Sequence, residues 1–332
     1  MKKNFKTGLI VLIVIIVVIL FVSIGSLFQR RSFSTPEVSI QTYSSNPSVK
    51  VSSSSKKQYI AALYIEGTIE EANNSYNQKW LLETISNLKN DSKNQGLAIY
   101  VNSPGGAVYQ ADEIYLALQD YKTSGKKIYV YQGPMAASGG YYISCAANKI
   151  YANRNTLTGC IGVICGQSFD LTRLFENLGI KSETIHSGKN KNMMNYNEPF
   201  SDEQRKIMQS ISDECYEQFV SIVVSQRHIS FDEAYKISDG RLYTANQALN
   251  NGLIDKIDSW DGMITDFSTE IEKKGIDVKT FKYQKKQTMM KTILSKVEDI
   301  KKTENATQLG LPTKVLNDIN DFNSYPAYIY RP

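Results

Sequence analysis

Ser138 lies in the stretch Met135-Ala136-Ala137-Ser138-Gly139-Gly140-Tyr141-Tyr142, a hydroxyl set among small residues. A short apolar run, Ile128 to Tyr131, and Gly133-Pro134 precede it, and a helix-like run follows. The serine therefore falls where a strand-to-helix turn would expose its oxygen as a nucleophile. Gly139 offers a backbone N–H at the start of that helix, where unpaired donors and the positive end of the helix dipole can hold a developing oxyanion. The octapeptide alone fits equally well a small-residue helix start packed under a neighbouring element.

A serine hydroxyl needs a base. The chain has two histidines, His186 and His228, which makes a zinc site or a histidine-dependent mechanism a poor expectation, although one histidine would suffice for a Ser-His arrangement. Lysine can act instead if burial disfavours its ammonium form. Lys191, in the polar loop Ser187-Gly188-Lys189-Asn190-Lys191-Asn192, is a candidate, but nothing in composition separates it from solvated surface lysines. The Ser-x-x-Lys strings at Ser53 to Lys56 and Ser86 to Lys89 fall in a linker and on a helix face. A second glycine feature, Asn102-Ser103-Pro104-Gly105-Gly106, directly follows an apolar run. Paired glycines there let backbone N–H groups approach a ligand, so Gly106 and Gly139 could form a two-donor oxyanion hole. A simple turn has the same sequence signature. Four cysteines (Cys145, Cys160, Cys165, Cys215) show no C-x-x-C spacing, so metal binding is not expected and small buried thiols are the default. No cofactor is called for.

The elements that must carry these residues read as an α/β body. Apolar runs at Tyr59 to Ile65, Leu97 to Val101, Ile128 to Tyr131 and Lys149 to Ala152 predict strands, with another around Glu183 to Ile185. Helical spacing covers Asn77 to Leu88, Tyr109 to Tyr121, the run from the serine turn through Ala147, and Leu171 to Leu178. Ser201 with Gln204 three residues on resembles a capping box for a long helix to about Arg227. Short helices at Phe231 to Ile237 and Thr244 to Asn250, then Gly252 to Asp255, close the body. Strands alternating with helices imply crossover connections.

Outside the body the chain changes character. Residues 8–28 are uncharged and apolar, long enough to cross a hydrocarbon core of about 30 Å. They exceed the h-region of roughly 7–15 residues of a cleaved signal peptide, although Ser23-Ile24-Gly25 offers a small-x-small pattern. The expected organisation is a cytoplasmic N-terminus (1–7), a transmembrane anchor (8–28), a Ser-rich tether (29–58), a catalytic domain (59–272), and a Lys-rich segment with an apolar, aromatic tail (273–332). That last part could contact another subunit. The net charge of +5 comes from 38 basic and 33 acidic residues. Lys2, Lys3, Lys6, Arg30 and Arg31 account for the excess, so the remainder is balanced and a nucleic-acid-binding surface is not indicated.

Several of these segments occur together, in order: NSPGG (102–106), MAASGGYYIS (135–144), TGCIGVI (158–164), SGKNK (187–191) and GRLYTANQALNNGLID (240–255). This set resembles the Ser/Lys signal peptide peptidases, bacterial peptidase family S49, over about Tyr59 to Ile257. The resemblance implies a Clp protease/crotonase-like spiral of β-β-α units, with Ser138 as nucleophile, Lys191 as general base, and Gly106 and Gly139 as oxyanion donors. It also implies a ring-like homo-oligomer held at the cell membrane with its catalytic domain on the extracytoplasmic side, cutting remnant signal peptides and other short or unfolded apolar peptides. Cys160 departs from the family pattern, in which a serine helps orient the lysine; a thiol is the weaker hydrogen-bond partner. Asn192 is a lesser departure. Other readings are a peptidase for one particular membrane protein, a crotonase-like acyl-CoA hydratase or isomerase, and a peptide-binding ring without catalysis.

Overall fold

A computed structural model describes residues 57–285 and 327–329. The expected anchor (8–28), nearly all of the tether and most of the 273–332 segment lie outside the described residues. Among the described residues no helix is long and apolar enough to cross a membrane.

The body is built on an eight-stranded sheet. Its main path runs β7 (Leu242–Thr244), β6 (Leu157–Gly159), β4 (Lys127–Ala137), β2 (Asn94–Ser103), β1 (Tyr59–Glu66) and β9 (Asp277–Lys282); β5 (Lys149–Ala152) pairs with β4 and with β8 (Lys256–Ile257). All pairings are parallel except β6 with β7. A parallel sheet must be covered on both faces, and the residues alternate accordingly. Tyr59, Ala61, Leu63, Leu97, Ile99, Ile128 and Val130 enter the larger core, while Ile60, Ala98, Tyr129 and Tyr131 enter a smaller one. Helices α1 (Gln78–Asn90), α2 (Val108–Lys122) and α3 (Gly139–Ser144) supply Leu81, Ile85, Ile114, Leu118 and Tyr142 to the larger core.

Between β6 and β7 the chain makes α4 (Thr172–Asn177), α5 (Asp202–Arg227) and α6 (Phe231–Ile237). Ser201 and Gln204 form the expected capping box of α5, each side chain bonding the other's backbone N–H. After β7 come α7 (Ala245–Asn250) and α8 (Trp260–Glu270), the latter covering the second sheet face with Met263 and Phe267 against Tyr129, Tyr131 and Tyr151.

Two differences from the sequence reading concern boundaries. The body does not end near Asp255: α8 follows, and β9 pairs with β1 from Asp277 to Lys282, beyond the boundary placed at 272. Residues 183–185 form no strand and are exposed; among the described residues no strand pairs with them. A separate two-stranded antiparallel sheet joins β3 (Gly105–Ala107) to β10 (Ala327–Ile329).

Candidate active site

The C-terminal ends of β2 and β4 form the centre. β4 runs through Ala137, pairing with β6 at Ala137 opposite Gly159, and the chain turns into α3 at Gly139. Ser138 occupies that turn with φ 54° and ψ −116°, a conformation that costs a side-chain-bearing residue on the order of 1–3 kcal/mol and is concentrated at functional sites. Strand, strained turn and helix is the nucleophile-elbow arrangement. Two backbone bonds hold the residue: its N–H donates to the Gly159 carbonyl (2.7 Å), and its own carbonyl accepts from the Tyr142 N–H (2.8 Å). Ser138 is 1% exposed.

The helix behind the serine is fixed by its two tyrosines. Tyr141 donates from its hydroxyl to the Leu253 carbonyl (2.8 Å), and Tyr142 donates to Asp112 Oδ1 (2.6 Å) while accepting from Gln218 Nε2 (2.7 Å). Burial drives the Tyr141 hydroxyl well above its ordinary pKa, so it stays a neutral donor. Beside it, burial pushes the Cys145 thiol up to about 12, which makes that cysteine inert. Gly140 lets α3 start against the end of β2, since a Cβ there would lie 2.9 Å from the Ser103 carbonyl oxygen.

β3 lies beside this turn. Gly105 has φ 100°, and Gly106 meets Ile69 in a parallel bridge. The Ile69 N–H donates to the Gly105 carbonyl and the Ala107 N–H donates to the Ile69 carbonyl, both at 2.8 Å. A side chain at Gly106 would begin 1.8 Å from the Ile69 oxygen, so the backbone approach requires glycine. Cys160 follows the carbonyl that anchors Ser138; it has φ 53°, is buried, and donates its N–H to the Arg241 carbonyl (2.9 Å). Burial raises its thiol pKa, keeping it uncharged.

Ser138, Gly139, Gly106 and Cys160 thus share one neighbourhood at the strand ends. Lys191 does not join them within the single chain. It sits in an exposed turn closed by its N–H on the Gly188 carbonyl (3.0 Å), and among the described residues no hydrogen bond or ion pair engages its ammonium. The neighbouring Lys189 pairs with Glu203 instead. The stretch that carries Lys191 leaves large apolar side chains in water: Leu174, Leu178, Ile180 and, at 94% exposure, Ile185. Reading the sequence missed two contributors here: Ile69, whose backbone holds β3, and the Gly159 carbonyl, which lies in the TGCIGVI run. The apolar, aromatic tail signalled a docking segment, but not that it pairs with β3.

The model of peptidase family S49 matches residues 120–274. A protein of Enterococcus faecium named for signal peptide peptidase SppA is 34% identical over 236 residues, 69% of this chain and 68% of that protein. A protein of Synechocystis sp. named as a protease is 33% identical, over 61% of this chain and 71% of its own length. Protease 4 of Haemophilus influenzae is 27% identical across 82% of this chain and 46% of that longer protein. With its α/β sheet and a strained serine at a strand-to-helix turn, this chain belongs to peptidase family S49 and is a serine peptidase.

Proposed function

We propose that the protein is a membrane-anchored Ser/Lys endopeptidase that degrades remnant signal peptides and other short or unfolded apolar peptides on the extracytoplasmic side of the cell membrane. The observation that carries the reading is the strained backbone of Ser138 beside the glycine strand Gly105–Ala107. Signal peptide substrates and the membrane setting rest on the name of the Enterococcus relative and on the apolar run 8–28. The alternation of short parallel strands and helices is compatible with a Clp protease/crotonase-like spiral.

In this mechanism neutral Lys191 takes the proton from Ser138 Oγ as that oxygen attacks the scissile carbonyl. The N–H groups of Gly106 and Gly139 hold the tetrahedral oxyanion, a term in which one donor is worth roughly 100- to 1000-fold in rate. The lysine then protonates the leaving amine, and water activated by the same lysine clears the acyl-enzyme. A lysine serves as a base only once it is withdrawn from water. Packing the exposed apolar arm around Lys191 against a second copy would achieve that, and such a patch is unusual on a monomer; a ring-like homo-oligomer is the assembly we assign. Cys160 takes the place of the hydroxyl that would orient the lysine.

Hydrolysis of an unstructured apolar peptide by wild type, Ser138→Ala and Lys191→Ala tests the assignment. Cleavage by wild type alone, with both variants folded, is the expected result, and its rate should rise from acidic toward alkaline pH. Full activity in Lys191→Ala would overturn the dyad.

A further inference from the structure

Tyr142 stands one helical turn after Ser138, and its backbone N–H donates to the Ser138 carbonyl (2.8 Å). The serine turn and this tyrosine therefore move as one piece. Two other helices hold the same side chain. Its ring meets Tyr115 of α2 edge-on, with centroids 5.6 Å apart at 72°, and Phe219 of α5 at 5.0 Å and 61°. Its hydroxyl donates to Asp112 Oδ1 of α2 (2.6 Å) and accepts from Gln218 Nε2 of α5 (2.7 Å). Gln218 Nε2 also donates to that Asp112 oxygen (3.1 Å), so the three side chains close a triangle. Tyr142 is buried, where a satisfied polar network specifies a single arrangement of the elements it joins. Each of these helices continues from a different part of the site. α3 opens at Gly139, directly behind Ser138; α2 begins at Val108, directly after the glycine strand Gly105–Ala107; α5 begins at Asp202, beyond the arm that carries Lys191.

From this geometry we infer that Tyr142 is a positioning residue for peptide hydrolysis: its hydroxyl bridges α2 and α5 to α3 and so fixes the Gly106 N–H, Ser138 Oγ and the helix that follows the Lys191 arm relative to one another. This rests on the roles proposed above for those three residues. Tyr142 acts through the helices it joins and takes part in no bond-making step. Placement matters because an oxyanion donor works only about 2.7–3.1 Å from the developing charge, and a misplacement of about 1 Å costs on the order of 100-fold in rate. Gly106 and Ser138 come from different strands, so their spacing needs a tie outside the sheet. A tyrosine supplies it because one hydroxyl donates in one direction while accepting from another. Phenylalanine fills the same space between Tyr115 and Phe219 and cannot bridge.

The test is made on the full chain in detergent with an unstructured apolar peptide substrate. In Tyr142→Phe the ring contacts remain, and Asp112 and Gln218 keep the bond they already share, so the fold survives while the bridge to α3 is lost. kcat falls about 10- to 100-fold with KM within about twofold of wild type, the signature of lost transition-state alignment. Asp112→Leu loses a similar factor, whereas Asp112→Asn, whose carboxamide oxygen still accepts from both donors, stays within about threefold of wild type. Tyr59→Phe is the matched control: it deletes another tyrosine-to-carboxylate bond of 2.6 Å, onto Asp91, at the start of β1, and leaves kcat and KM unchanged. A wild-type kcat in Tyr142→Phe, or a rise in KM with kcat held, overturns the inference, as does an Asp112→Asn variant no more active than Asp112→Leu. A second measurement needs no peptide recognition: labelling of Ser138 by a fluorophosphonate, which Tyr142→Phe slows by a factor similar to the kcat loss and which, at the wild-type rate, also refutes positioning. Peptide hydrolysis by Ser138→Ala would bring down the site assignment itself; a silent Ser138→Ala beside a fully active Tyr142→Phe would bring down only the role of Tyr142.

Discussion

Ser138 should weaken the fold that carries it, and the size of that effect can be worked out. Its φ of 54° with ψ −116° burdens any residue with a Cβ by about 2 kcal/mol, the middle of the usual range for such strain. Glycine escapes the burden, but its freer unfolded chain costs about 0.5–1 kcal/mol relative to alanine. Ser138→Gly should therefore be about 1 kcal/mol more stable than Ser138→Ala. Both lack the hydroxyl, so its loss cancels in the comparison. For a body of this size that difference raises Tm by about 2–4 °C. Thermal unfolding followed by circular dichroism, with both variants in one buffer, reads it directly, and neither variant should hydrolyse peptide. A glycine variant no more stable than the alanine variant would mean that the turn carries no strain for a Cβ to pay. The turn geometry would then no longer mark Ser138 as a nucleophile position.

Other perturbations probe the surroundings. Cys160→Ser should raise kcat/KM without altering the fold, since a hydroxyl is the better hydrogen-bond partner; a fall would show that the thiol has no orienting role to improve. The Arg227 side chain, 7% exposed, forks onto Asp255 at 2.7 and 3.1 Å, and Asp255 Oδ2 also accepts from the Ile150 N–H at 2.6 Å. Asp255→Ala leaves the guanidinium its bond from Nε to the Gly252 carbonyl (2.9 Å), and because the carboxylate is 35% exposed the cost should be about 1–2 kcal/mol, read as the loss in a urea unfolding curve; an unchanged curve would refute a contribution of the pair. Glu270 accepts from Lys127 (2.5 Å), Lys149 (2.6 Å) and Tyr129, and these hydrogen bonds hold its pKa down at about 2 against an ordinary 4.5. A folded pKa below the unfolded one stabilises the fold above about pH 4.5, and that contribution is lost as pH falls toward 2. Glu270→Gln should flatten the acid limb of stability against pH between those values. The effect will be modest because the carboxylate is 27% exposed. An unchanged limb would assign acid sensitivity elsewhere.

How far the site could be read beforehand follows from where each element gets its stability. β1, β2, β4 and β5 were legible because strands buried on both faces must be apolar along their whole length, and Tyr59 to Ile65 or Leu97 to Val101 can scarcely be anything else. The caps of α5 and α6 were written locally, in Ser201 with Gln204 and in Ser230 with Glu233. Helix α8 had a readable signal that went unused: Ser259 caps the Gly262 N–H at 3.0 Å, and Met263 and Phe267 are one turn apart on one face. β9 had none, since Asp277, Val278, Lys279 and Lys282 give an edge strand whose reason for being extended is the register of β1. β3 is more extreme. Gly105-Gly106-Ala107 has no strand propensity at all, and it is extended because Ile69 grips one edge and residues 327–329 take the other. The same property explains why the sequence could nominate Gly106 but not describe its surroundings. A residue chosen for having no side chain records that something comes close, and what comes close is decided by backbone from both ends of the body. Lys191 shows the converse. Its neighbours Lys189, Asn190 and Glu203 satisfy one another at the surface, so among the described residues no hydrogen bond or ion pair draws its ammonium toward Ser138, while Leu174, Leu178, Ile180 and Ile185 of the same arm are exposed. If Lys191 is the base, as proposed, withdrawing it from water is work left to the proposed assembly contact, and activity should then depend on oligomer formation as strictly as on Ser138 itself.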